Sequence, residues 1–82
     1  MKKIIRFTAS WCAPCKMMAA NLEEANLDIP IGVVDIDVNS DIAIEYGVRG
    51  IPTLILFDDD GNVSKRITGL KSATELKEWA NG

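Results

Sequence analysis

Five consecutive residues, Thr53-Leu54-Ile55-Leu56-Phe57, form a run with no charged or strongly polar face. The run is too short for a helix of ordinary length, and a strand that is apolar on both sides has to be covered on both sides. The chain must therefore supply a sheet with helices packed on it, and the segments around this run have to provide the other layers. Its 82 residues leave room for one such domain and one core.

Lys3 to Ala9, rich in Ile, Phe and Thr and ending at Ser10, reads as a first strand flowing into a helix start. Pro14 falls in the first turn of that helix, where its missing amide hydrogen is no loss. Cys15, Met18, Ala19, Leu22 and Ala25 then recur at spacings of three and four to about Asn26. Ile31 to Val38 reads as a second strand, and a strand-helix-strand connection makes it parallel to the first. Asn39, Ser40 and Asp41 are suited to cap a short helix through Tyr46 that stops at Gly47. Beyond the apolar run, Asp58-Asp59-Asp60-Gly61-Asn62 signals a hairpin, and Val63 to Thr68 alternates as an edge strand does. Ser72 with Glu75 forms a capping box before a final helix whose Ala73, Leu76, Trp79 and Ala80 share one face. The expected order is βαβαββα, an α/β fold with a four-stranded mixed sheet flanked by helices and a single domain over residues 1–82.

Composition removes several functions. Nine Lys plus Arg against twelve Asp plus Glu leave a net charge of −3, which argues against a surface built to neutralise phosphates, so nucleic acid is not an expected partner. With no histidine and two cysteines, the chain lacks the four soft ligands of a closed zinc site, and no metal is expected. Arg6 interrupts the first apolar run before it reaches the length of a secretory signal core. No segment approaches the roughly 20 apolar residues of a membrane span. A reducing cytoplasm is the default expectation, and there a close cysteine pair is more often reactive than structural.

That pair lies in Trp11-Cys12-Ala13-Pro14-Cys15-Lys16, at the expected junction of strand and helix. Two cysteines three apart at a helix mouth can close a small disulfide ring and open it again. Cys12, at the helix N-terminus, meets unpaired amide hydrogens and the positive end of the dipole, which favour a thiolate and make it the nucleophile. Cys15, one turn inward on the buried face, is placed to attack a mixed disulfide on Cys12 and release the reduced substrate.

Here the sequence resembles the thioredoxin family, through Trp11 to Lys16, the run Tyr46-Gly47-Val48-Arg49-Gly50-Ile51-Pro52-Thr53, and Gly69 after the edge strand. The similarity runs from about Ile4 to Ala80, with its motifs in the right order. The resemblance implies a minimal thioredoxin-like fold, because thioredoxins usually begin with an extra strand and helix. It implies that Pro52 is a cis proline packed against the active-site disulfide, and that the backbone of Ile51 pairs with an extended substrate segment. Trp11, Ala13, Pro14, Ile51, Pro52 and Gly69 would line the substrate groove.

Departures from the family pattern accompany these matches. Ala13-Pro14 replaces the family's Gly-Pro between the cysteines, Ala20 replaces its helix-kinking proline, and Thr8 replaces a bulky aromatic. Arg6 stands where thioredoxins bury an aspartate that assists proton removal from the inner cysteine. Strand alternation puts Arg6 with Ile4 and Thr8 on one face and Asp35 with Val33 and Asp37 on one face of the next strand. Two arrangements follow: an Arg6–Asp35 ion pair, with Asp35 as candidate proton acceptor directly or through water, or two solvated charges. Elsewhere plain roles are expected: Trp79 in the core, Trp11 partly exposed, Met17 and Met18 in helix packing, and Asp58 to Asp60 solvated at a hairpin tip.

The function these features imply is a thiol–disulfide oxidoreductase that reduces protein disulfides and is recharged by a thioredoxin-reductase-type enzyme. It needs no cofactor and acts as a monomer. A glutathione-dependent, glutaredoxin-like reductase has the compact size in its favour, but Gly69-Leu70-Lys71 replaces the paired glycines that resemble a glutathione seat. A non-catalytic binding subunit, using the groove around Trp11, Ile51 and Gly69, would have no use for an intact cysteine pair.

Overall fold

The computed structural model describes residues 1–82. Strands β1 (Lys3–Thr8), β2 (Ile31–Asp35), β3 (Thr53–Phe57) and β4 (Val63–Thr68) alternate with helices α1 (Ala13–Ala25), α2 (Ser40–Glu45) and α3 (Ala73–Asn81) in the order βαβαββα. The four strands form one mixed sheet in the order β2-β1-β3-β4. β1 runs parallel to β2 and antiparallel to β3, and β4 closes an antiparallel hairpin on β3.

All five residues of β3 are buried, because its two faces meet different layers. Leu54 and Leu56 join Ile4 of β1 beneath α1 and α3, packed against Met18, Leu22, Ala25 and Leu76. Ile55 and Phe57 join Phe7 and Val34 on the opposite face, where α2 contributes Ala43. Tyr46, following α2, meets Phe7 and Phe57 edge-on at centroid distances of 6.4 and 5.6 Å. Asn21 ties α1 to the loop that leads into α3 by donating to the Lys71 carbonyl at 2.8 Å.

Local chemistry sets the ends of the elements. α1 stops at Asn26, which adopts a left-handed conformation (φ 48°) and returns its N–H to the Leu22 carbonyl. The capping box of α3 is complete, with Glu75 N–H donating to Ser72 Oγ and Ser72 N–H donating to the Glu75 carboxylate. β2 ends three residues before the expected Val38. The Asp35 side chain accepts from Asp37 N–H at 2.9 Å, and the Asp35 carbonyl accepts from Val38 and Asn39, so a turn outcompetes the ladder. Asn39 precedes α2 without making a side-chain cap bond.

Candidate functional site

The turn between β1 and α1 carries the two cysteines. Cys12 is the N-cap of α1, in extended conformation, and its Sγ accepts from the Cys15 N–H at 3.2 Å. A sulfur so placed satisfies one of the unpaired amides of the helix start, and the first turn of α1 contains no acidic residue to oppose negative charge there. Cys12 and Cys15 are joined as a disulfide, with a Cα–Cα distance of 5.3 Å. Cys15 has no solvent exposure and Cys12 has 5%. Access is thus narrower than the sequence suggests: the exposed surface belongs to Trp11, Ala13 and Pro14, and of the two cysteines only Cys12 keeps any exposure.

Pro52 immediately precedes β3. The Ile51–Pro52 peptide is cis, and half-buried Ile51 packs against the cysteine cluster with Ile36. The Pro52 carbonyl accepts from the Gly69 N–H at 2.9 Å, which joins two of the expected groove residues directly. Gly69 holds φ at 94°, a conformation that favours glycine. Buried Thr53 secures the same loop, its hydroxyl donating to the Gly50 carbonyl at 2.6 Å and lying 3.3 Å from the Thr68 hydroxyl.

Asp37 is a site residue that pattern reasoning overlooked. Its carboxylate accepts from the Trp11 indole N–H at 2.8 Å, holding the ring beside the cysteines although Trp11 is 67% exposed. Only alternation with Asp35 marked Asp37 in the sequence, and that pattern carries no information about a partner 26 positions away.

Arg6 and Asp35 do not pair. The molecule's one ion pair joins the Met1 ammonium to Asp59. Register explains the outcome: Arg6 lies opposite Val33 and Asp35 opposite Thr8, while the Asp35 carboxylate turns to the Asp37 amide. Arg6 instead lines a shallow cavity of about 210 Å³ with Ala19, Leu22, Glu23, Ile31 and Val33. Partial burial there lowers its guanidinium below the ordinary arginine value. Of the adjacent methionines, Met18 is wholly buried in the core and Met17 is exposed.

A ring of four residues closed by a disulfide, its inner cysteine sealed and its outer one slightly exposed, is suited to exchange with a second disulfide, and the chain is a thiol–disulfide oxidoreductase. The thioredoxin family's sequence profile matches residues 1–82. The chain belongs to the thioredoxin family. It is 43% identical over 81 residues to a thioredoxin of Chlamydia pneumoniae, covering 95% of this chain and 78% of that one. A thioredoxin of Pseudomonas aeruginosa is 43% identical over 77 residues, covering 89% of this chain and 70% of its own length. Among solved structures, mitochondrial thioredoxin 3 of Saccharomyces cerevisiae in its oxidized form superposes with a TM-score of 0.84 at 36% identity, covering 98% of this chain and 76% of that one. A thioredoxin variant from Halobacterium salinarum gives 0.89 at 35% identity, covering 98% and 72%. These relatives do not favour a glutathione-dependent reductase or a purely non-catalytic subunit.

Proposed function

We propose that the chain reduces protein disulfides by a two-step exchange at Cys12 and Cys15. In the dithiol form the Cys12 thiolate attacks one sulfur of a substrate disulfide, forming a mixed disulfide and expelling the other substrate sulfur as a thiolate, which takes up a proton. Cys15 then loses its proton and attacks Cys12 Sγ, which closes the intramolecular disulfide and frees the second substrate thiol. Two electrons have passed from the Cys12/Cys15 pair to the substrate. A thioredoxin-reductase-type enzyme returns them, so the chain serves electron transport without a bound cofactor. The difference in accessibility between Cys12 and Cys15 is the observation that carries this division of roles.

Substrate lies as an extended segment in the groove formed by Trp11, Ala13, Pro14, Ile51, Pro52 and Gly69, with the Ile51 backbone as its pairing edge. Half-buried Asp35, at the end of β2 and opposite Thr8 of β1, takes the Cys15 proton directly or through water. Every group in the scheme belongs to one chain, so the catalytic unit is a monomer, and the cytoplasm is the compartment that keeps the pair reduced. No helix is long and apolar enough to cross a membrane.

Cys15→Ser tests the mechanism. It should accumulate a mixed disulfide between Cys12 and a disulfide-bonded peptide, whereas Cys12→Ser should trap none; failure of Cys15→Ser to capture peptide would rule out the two-step route. A redox titration of the pair tests the direction of electron flow. A potential near the thioredoxin value of about −270 mV supports a reductant, and one near about −120 mV would make the chain an oxidant.

A further inference from the structure

The two edges of the sheet are treated differently. β4 carries Ser64, Lys65 and Arg66, and its ladder with β3 is irregular between Leu56 and Phe57. Lys65 Nζ reaches the Gly82 carbonyl at 3.1 Å, and an Arg66 guanidinium nitrogen donates to the Tyr46 carbonyl. Charge and irregularity of this kind discourage another strand from adding.

β2, with the sequence Ile31-Gly32-Val33-Val34-Asp35, has neither protection along its apolar stretch. Ile4 N–H donates to the Pro30 carbonyl and Ile36 N–H to the Thr8 carbonyl, each at 2.9 Å. Backbone groups alternate in a parallel ladder, so Gly32 and Val34 face β1 while Ile31 and Val33 turn both N–H and C=O outward. The side chains of Ile31 and Val33 are 38% and 59% exposed on the same face. The flank is mixed, because a groove lined by Leu22, Leu27 and Ile29 together with Glu23, Asn26 and Asp28 runs up to Ile31.

We propose that β2 pairs with β2 of a second copy of this chain, antiparallel about a two-fold axis at Gly32. This register sets Ile31 opposite Val33 of the second copy, and Val33 opposite its Ile31. The outward N–H and C=O of both residues are then satisfied reciprocally in four hydrogen bonds. Four aliphatic side chains meet on one face, and the glycines meet at the axis with nothing to obstruct them; around Gly32 its own chain comes no nearer than the Ile4 carbonyl, 4.0 Å from where a Cβ would lie. A two-fold pivot at Val33 would instead put Ile31 against a carboxylate, that of Asp35, whose carbonyl is already committed to Val38 and Asn39. Self-pairing therefore has one well-matched register, and it joins the two sheets into one of eight strands. The antiparallel arrangement places the two cysteine turns at opposite ends, so both sites stay open and catalysis remains a property of the single chain.

One strand edge buries little surface, so the dimer is weak. Sedimentation equilibrium should show the mean mass rising from one chain near about 10 μM toward two near about 1 mM, the range expected of a contact below about 1,200 Å². Over the same series the exchange of the Ile31 and Val33 amide hydrogens should slow several-fold, while Gly32 and Val34 stay protected throughout. Val33→Lys, at an exposed position, should keep the thermal midpoint and the rate of disulfide reduction but remain a single chain at every concentration. A wild-type mass that stays at one chain to about 1 mM, or a dimer that survives Val33→Lys with fast exchange at Ile31 and Val33, would overturn the assignment. Protection of those two amides in a single chain only upon addition of a disulfide-bonded peptide would assign the edge to substrate and also overturn it.

Discussion

Arg6 and Asp35 occupy neighbouring strands and form no ion pair. If Asp35 accepts the Cys15 proton, Asp35→Asn should slow release of the mixed disulfide at neutral pH and leave its formation by Cys12 unchanged. The loss should be at the low end of the roughly hundred- to ten-thousand-fold that positioned acid–base groups contribute, because solvent offers a second route. Arg6→Leu should leave the profile unaltered, since no ion pair holds the carboxylate. Single-turnover resolution measured across pH for the three proteins decides the matter: superimposable curves for wild type and Asp35→Asn assign the proton to solvent. Asp37 illustrates a different residue-scale fact. Its bond to Trp11 depends on the turn that Asp35 creates, so one aspartate shapes the loop through which the other reaches the site.

At the scale of elements, α3 is defined at its start by its capping box and on one side by Leu76 and Ala80. Ser72→Ala removes the acceptor for the Glu75 N–H and should cost about 1 kcal/mol, read as a fall in melting temperature of about 4–8 °C for a domain of this size. Glu75 adds a pH dependence. Its bonds from the Ser72 N–H, then from the Ser72 side chain, hold its carboxyl below the ordinary value. A depressed folded-state pKa means that the contribution is present above the unfolded value and is lost as pH falls through the folded one. The difference in melting temperature between wild type and Glu75→Ala should therefore be constant near neutrality and shrink in acid. A difference that persisted or grew in acid would show that the carboxylate does not act through the cap.

For the whole molecule, the controlling fact is the small core of a small chain. Stability of about 0.05–0.15 kcal/mol per residue gives about 4–12 kcal/mol for 82 residues. Leu54, the second residue of β3 and without solvent exposure, packs beneath both α1 and α3. Leu54→Ala should cost about 2–5 kcal/mol, a large share of the total, and denaturant unfolding should show a midpoint lowered in proportion. A change of less than about 1 kcal/mol would mean that the two helices close over the lost volume.

Elements of this chain were legible wherever the signal is local. The unbroken apolar run set the limits of β3, the spacing of Met18, Leu22 and Ala25 set the buried face of α1, and Ser72 with Glu75 set the start of α3. The cysteine spacing, placed at a strand-to-helix turn, declared the chemistry, since a disulfide ring and a helix mouth both arise within a few residues. What the sequence could not determine depends on contacts between segments distant in the chain. Alternation put Arg6 and Asp35 on one face, but register across β1 and β2 staggered them, and an Asx turn then claimed the carboxylate. The Trp11–Asp37 bond, the Pro52–Gly69 bond and the 5% opening at Cys12 are likewise products of three-dimensional closure. Local periodicity records which face a residue presents, whereas the partner it finds there is decided only when the faces pack.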